Sequence, residues 1–268
     1  MPDYKSIFSK AEETLRSLSW FSPEEFDKTY GRFKKFETRK RTDAECFEIL
    51  TMIIFYSGFR ASTVESKEKI ILNHFPDYES VSIYGEEDVK RILSDQSMIR
   101  NERKIRSVIS NARMFRKIVV NHGSFMNYLE SFNASNSDEN LLLLKKELEY
   151  RFEYIGGITV YHLLTDLGFN VLKPDRVLVR IFKRLGIIEN EKRLFDVVIQ
   201  GRQFAKHTGL PIRYIDIIFV KLGQQGASEM FGLQGGICLD KTPDCKSCGL
   251  KDFCIYYKSQ GHQTFNLT

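Results

Sequence analysis

The chain has 268 residues, 42% of them hydrophobic, which supports one large core or two modest ones and argues against disorder as a whole. Lys plus Arg is 40 against 35 for Asp plus Glu, a formal net charge of +5, mildly basic and compatible with nucleic acid without requiring it. No apolar run reaches membrane-spanning length and the first 25 residues carry no signal-peptide core, so a soluble, intracellular (cytoplasmic) protein with no membrane partner is expected.

Taken in order, residues 1–19 form an amphipathic helix with Ile7, Ala11, Leu15 and Leu18 on one face. Ser22-Pro23-Glu24-Glu25 is a helix start with the residues of a capping box. Arg32, Lys34, Lys35, Arg39, Lys40 and Arg41 make a basic run, either a solvated face or a phosphate contact. Thr42 or Asp43 starts the next helix, and Cys46 to Tyr56 is so apolar that it must be buried. Gly58 breaks it, and a further helix runs to about Phe75. Glu86 to Leu93 is a short helix, 97–101 a loop, and Lys104 to Val120 a long helix with Ile105, Val108, Ile109, Ala112 and Phe115 inward. Gly123-Ser124-Phe125 opens a short helix, 133–140 is a loop, and Leu141 to Phe152 is helical. After residue 175, helices are expected over Val177–Leu185, Lys192–Lys206 and Ile212–Gly223, followed by an irregular glycine-rich stretch, a cysteine loop and a polar tail. Strand signals are very few and no repeat is visible, so the fold class is all-α.

The chemistry concentrates between Arg151 and Arg180. Gly156 and Gly157 supply the freedom that a tight helix-to-helix turn needs. Helical pattern resumes at Thr159, so the amides of Gly156, Gly157, Ile158 and Thr159 form an anion site suited to one phosphate. Pro174 pushes Lys173 out of helical geometry, so Asp175 begins or caps the next helix. The plainer reading is a glycine turn between two core helices and a capping aspartate.

Cys238, Cys245, Cys248 and Cys254 stand as C-x6-C-x2-C-x5-C. In a reducing compartment this argues against disulfides and for a metal centre, either tetrahedral zinc or the four corners of a [4Fe–4S] cubane. Zinc sites more often use two C-x2-C knuckles, and only one is present. Cys46, alone in an apolar helix, is a core residue.

A glycine hairpin followed about sixteen residues later by a carboxylate resembles the helix-hairpin-helix DNA glycosylase superfamily. Within it, Phe47-Glu48, Gly58, Ile99-Arg100-Asn101-x-x-Lys104-Ile105, Asn111-Ala112, Gly123-Ser124-Phe125 and Phe152-x-Tyr154-Ile155-Gly156 resemble 3-methyladenine DNA glycosylase I. From Gly156 to Cys254, with Asp175, Arg180, Gly223 and the cysteine spacing, the chain is similar instead to endonuclease III. The resemblance implies a two-lobed fold. Residues 38–170 would be a helical bundle ending in the hairpin, and 1–37 with 171–268 a second lobe carrying a [4Fe–4S] loop at 238–254. DNA would lie in a cleft between the lobes. Two departures stand out. The glycosylase I family's pocket glutamate is Ile53 here, and the lysine nucleophile of bifunctional endonuclease III relatives falls on Thr159.

The resemblance implies a monomer acting on double-stranded DNA with a damaged base. Asp175 would be the catalytic carboxylate, stabilising positive charge on the sugar. The extruded base needs a pocket. Phe55, Tyr56 and Phe59, with Tyr154 and Tyr161 beside the hairpin, are its candidates; core packing is the alternative for each. Arg60 and Lys173 are candidate DNA contacts. An aromatic pocket suits a cationic alkylated purine such as 3-methyladenine. Excision of uracil, thymine or mispaired adenine is an alternative, and a non-catalytic iron–sulfur damage binder is another.

Overall fold

The structure is a computed structural model and describes residues 2–38 and 41–261. Arg39 and Lys40 of the basic run, and the end of the polar tail, lie outside the described residues. The chain opens with α1 (Tyr4–Leu18) and α2 (Pro23–Gly31). Then come α3 (Asp43–Tyr56), α4 (Ala61–Glu65), α5 (Glu68–His74), α6 (Tyr78–Ser82) and α7 (Glu86–Ser94). α8 (Glu102–His122), α9 (Phe125–Glu130) and α10 (Asp138–Arg151) lead to the hairpin and α11 (Thr159–Asp166). α12 (Arg176–Arg184), α13 (Leu194–Thr208), α14 (Ile212–Gly223) and α15 (Ile255–Gly261) complete the order. The protein is all-α: among the described residues there is no strand, only an isolated bridge between Ser228 and Leu233.

The chain divides into two compact units, 40–169 and 1–39 with 170–268. In the first, α3 starts on a capping box. The Thr42 hydroxyl accepts the Glu45 amide, and the Glu45 carboxylate accepts the Thr42 amide at 2.9 Å. Its run from Thr51 to Phe55 is buried because α8, α9 and α11 pack around it. Phe115 of α8 centres an aromatic core, 4.3 Å from Phe125, 5.0 Å from Tyr78 and 5.6 Å from Phe47 between ring centroids. Such pairs add specific geometry to apolar burial. In the second unit, α1 lays Ile7, Phe8, Ala11 and Leu15 against α13 and α14. Phe182, Phe204 and Phe219 form an aromatic triangle with centroids 5.1 to 5.5 Å apart.

Local chemistry explains where the helices differ from the sequence reading. α6 is too short to show a period. It exists because Asp77 accepts the Ser80 amide at 2.7 Å and because Val81 is buried as α6 packs on α8. α10 begins inside the expected 133–140 loop because Ser137 caps it, accepting the Asn140 amide at 3.1 Å. The single helix expected up to Phe75 is two, α4 and α5. α15 was read as tail; its first turn closes on Cys254, whose carbonyl accepts the Lys258 amide at 3.2 Å.

Candidate functional site

The hairpin between α10 and α11 is built as the two glycines suggest. Gly157 has φ +56, a conformation that costs glycine little, and Gly156 and Gly157 are both exposed. Ile158 and Thr159 are half-buried at the start of α11. Three of the four amides there are already bonded within the protein. The Gly156 N–H donates to the Thr159 hydroxyl at 2.8 Å, and the Thr159 N–H to the Gly156 carbonyl at 3.0 Å. The Gly157 N–H donates to the Glu149 carboxylate at 3.1 Å. Glu149 also holds Lys145 at 2.6 Å and Lys146 at 3.6 Å. Burial, the largest single influence, raises the Glu149 carboxyl, but the Lys145 hydrogen bond and charge, the Gly157 amide and the Lys146 charge together outweigh it, and the group lies below the ordinary carboxylate range. An anion therefore already sits where a phosphate is expected, and it belongs to the protein.

Just before the hairpin, Tyr154 takes φ +62, left-handed backbone at a residue with a large side chain. Asn111 of α8 holds the turn from below. Its amide donates to the Glu153 carbonyl and its oxygen accepts the Glu153 N–H, both at 2.9 Å. The Thr159 hydroxyl donates from above and lies 2.8 Å from both the Tyr154 and the Gly156 carbonyls. Tyr154 is left 37% exposed. Gly58, at φ +79, ends α3 and lets Phe59 turn outward, 39% exposed.

Both rings meet Lys104. Its side chain is buried, 3% exposed, and its ammonium donates to the Ile54 carbonyl and, at 2.6 Å, to the Ser57 carbonyl. Both acceptors belong to the C-terminal end of α3, where unsatisfied carbonyls and the helix dipole favour a cation. The ammonium is 4.8 Å from the Tyr154 centroid and 5.5 Å from that of Phe59. Burial lowers its pKa from the ordinary 10.5 to about 8.

The aromatic residues that the sequence groups together are separated here. Phe55 is fully buried and packs on Phe75 at 6.1 Å, and Tyr161 is 1% exposed in the core. Tyr56 is half-buried, 6.0 Å from the His162 ring. Neighbouring helical positions point about 100° apart, so Phe55 and Tyr56 cannot share a face. Phe59 and Tyr154 are the pair that reaches solvent. Arg60 is exposed beside them, at the N-cap of α4.

The second unit carries the other candidates. Asp175 caps α12, and one oxygen, Oδ1, accepts the amides of Val177 at 2.9 Å and Leu178 at 3.0 Å. Oδ2 takes no part in that cap. Lys173 is half-buried in the preceding loop, and its carbonyl accepts the Asp175 N–H at 2.8 Å. α12 then grips the cysteine loop with two arginines. Arg180 donates to the carbonyls of Cys238 at 3.0 Å and Gly223 at 2.7 Å. Arg184 donates to those of Leu239 at 2.6 Å and Asp240 at 2.8 Å, with Nη1 also 3.4 Å from the Cys238 sulfur. Cys238, Cys245, Cys248 and Cys254 are free thiols, all half-buried. Among the described residues, no three or more His, Cys, Asp or Glu side chains are drawn together tightly enough to mark a metal site. The donor chemistry still suits an iron–sulfur centre. It is an all-sulfur set in one short loop, with a single C-x2-C pair.

Sequence reasoning missed Glu149 and Arg184, and quoted Lys104 and Asn111 without giving them a task. One signal was present. Lys104, Ser107 and Asn111 recur at helical spacing on the inward side of α8, and all three are buried.

Glu149→Gln is expected to raise affinity for undamaged duplex DNA at low salt by roughly two- to tenfold, because a carboxylate no longer opposes the phosphate. Fluorescence anisotropy titration checks this, with a melting curve to confirm the fold. Unchanged affinity would mean that the hairpin does not meet the DNA backbone.

The sequence signature of the methyladenine glycosylase family matches residues 26–176, a span that includes Tyr154, the hairpin and Asp175. Among solved structures, a trapped endonuclease III–DNA covalent intermediate is similar at 15% identity, covering 93% of this chain and 98% of that one, with a TM-score of 0.53. The 8-oxoguanine DNA glycosylase of Thermotoga maritima is similar at 16% identity, covering 80% and 96%, with a TM-score of 0.50. The 3-methyladenine DNA glycosylase I of Staphylococcus aureus matches at 20% identity over 58% of this chain and 91% of that one, with a TM-score of 0.45. The first two likenesses show that the helical fold is shared with these two proteins. The family signature covers more than half of the sequence, and the chain belongs to the methyladenine glycosylase family.

Proposed function

We propose that the protein is a monofunctional DNA glycosylase of base excision repair that hydrolyses the N-glycosidic bond of alkylated purines such as 3-methyladenine. The observation that carries this reading is the family signature running through the hairpin to Asp175. The exposed Phe59–Tyr154 pair adds to it, since an extruded base needs aromatic faces to stack on. Cleavage builds oxocarbenium-like positive charge on the deoxyribose. The Asp175 carboxylate, fixed through Oδ1 by two amides of α12, keeps Oδ2 to stabilise that charge and to orient the attacking water. Alkylation makes the purine a good leaving group, so little acid catalysis is asked of the protein. At the position where an amine would attack the sugar, Thr159 offers only a hydroxyl that is already bound into the hairpin, so no Schiff base forms there.

A second reading has one observation in its favour. The Lys104 ammonium lies against the two exposed rings, where it opposes a cationic base and favours a neutral one such as uracil.

The four cysteines fit a [4Fe–4S] cluster rather than zinc, on their all-thiolate donor set with a single C-x2-C pair. Bound there, the cluster cross-links the loop. Arg180 and Arg184 then pass that rigidity to α12, the helix that Asp175 caps. Metal analysis of anaerobically prepared protein is expected to give about four irons per chain. Stoichiometric zinc without iron would overturn the assignment.

Asp175→Asn keeps the shape of the cap and removes the charge. Single-turnover release of methylated purines is expected to fall by about 10² or more, the scale of one electrostatic group in a transition state. Affinity for DNA should hold or rise, since a carboxylate near phosphates opposes binding. A variant with wild-type release rates would remove Asp175 from the mechanism.

A further inference from the structure

Lys104 is the buried charge that the proposed chemistry leaves unused. Among the described residues, no carboxylate pairs with it, and burial is the sole cause of its lowered pKa. Capping the end of α3 does not explain it. A lysine can cap helix carbonyls from the surface while keeping its ammonium in water. Here the whole side chain is enclosed, which costs free energy unless the buried cation serves something else. What encloses it is informative. Its two acceptors, Ile54 and Ser57, lie directly before the Gly58 turn that throws Phe59 outward. Its two aromatic neighbours are Phe59 and Tyr154, both of which reach solvent. Phe59 follows α3 and Tyr154 precedes α11, 95 positions apart in sequence, and the ammonium contacts both. Both residues stay more than a third exposed, so each keeps surface that a ligand can reach while the ammonium attracts its ring.

We propose that Lys104 is a positioning residue of the base site: seated on the carbonyls that end α3, its ammonium fixes the Phe59 and Tyr154 rings as one platform on which the extruded base stacks. The inference rests on the glycosylase reading above and deepens it. Ile53 removes the family's pocket acid, so recognition at this site falls to stacking, and stacking requires rings held in place. Asn111 fixes the backbone beneath Tyr154, and Lys104 fixes the ring itself.

The test uses the full chain with a methylated duplex. Lys104→Met keeps the length and apolar body of the side chain and removes the ammonium. Single-turnover base release is expected to fall at least about tenfold, since small misplacements of a substrate cost that much or more. Affinity for undamaged duplex, set by backbone contacts, should stay within about twofold. Tyr154→Ala should also slow release. In the Tyr154→Ala background, adding Lys104→Met should cost little more, because the lysine acts through that ring. Release by Lys104→Met at the wild-type rate, or losses that simply add in the double variant, would overturn the inference. If Lys104→Met fails to fold, the surface variants Phe59→Ala, Tyr154→Ala and their double decide instead. One shared platform predicts non-additive losses, and additive or absent losses contradict it. A separate readout distinguishes this failure from that of the glycosylase reading. The Lys104 side-chain methylene resonances in the free protein should carry ring-current shifts that change in Tyr154→Ala. Wild type that shows those shifts yet releases no base from any damaged duplex sinks the glycosylase reading, and the platform with it. Active wild type with an equally active Lys104→Met sinks the platform alone.

Discussion

A tyrosine held in left-handed backbone is the constraint around which the 40–169 unit is arranged. Tyr154, at φ +62, has no glycine's excuse for that conformation, and an L residue there carries a cost of about 1–3 kcal/mol. Three side chains hold it in place. Asn111 bonds both backbone groups of Glu153, the Thr159 hydroxyl reaches the Tyr154 carbonyl, and the Lys104 ammonium lies under the ring. Two of the three come from the inward side of α8, which explains why that face is not uniformly apolar. The strain is local, and its product is an exposed ring at the mouth of the hairpin.

The 1–39 and 170–268 unit solves a different problem by similar means. A single helix, α12, has the proposed catalytic carboxylate at its first turn and two arginines along its length. Both arginines are spent on backbone carbonyls of the cysteine loop and its approach, so the loop and the cap of α12 are parts of one rigid assembly. The exposed ring pair and the hairpin belong to one unit, and the carboxylate and cysteines to the other.

What the sequence made legible was local. The capping box at Ser22 needs only residues three apart and is present, and the helix start at Thr42 or Asp43 proves to be a second such box with Thr42 as its cap. Burial of α3 follows from its composition, and the cap at Asp175 from the proline before it. The hairpin was legible from two glycines between helical patterns. What was not legible depends on contacts far apart in the chain. Phe55 and Phe59 look alike in sequence, and only the packing of Phe75 against the first and the Gly58 turn before the second separate core from surface. Glu149 reads as one of many acids on a charged helix until the hairpin folds back onto it. The expected phosphate cradle needs free amides, and those of Gly156, Gly157 and Thr159 already have acceptors within the protein.

The proposed activity rests on the family signature, and its product is a free base. Wild-type protein incubated with a methylated duplex, and separately with duplexes containing uracil or mispaired adenine, with the freed bases resolved chromatographically, tests this most directly. The account predicts release of 3-methyladenine from the methylated duplex at a rate well above that of uracil. Uracil or mispaired adenine released while methylated purines stay in place would contradict it.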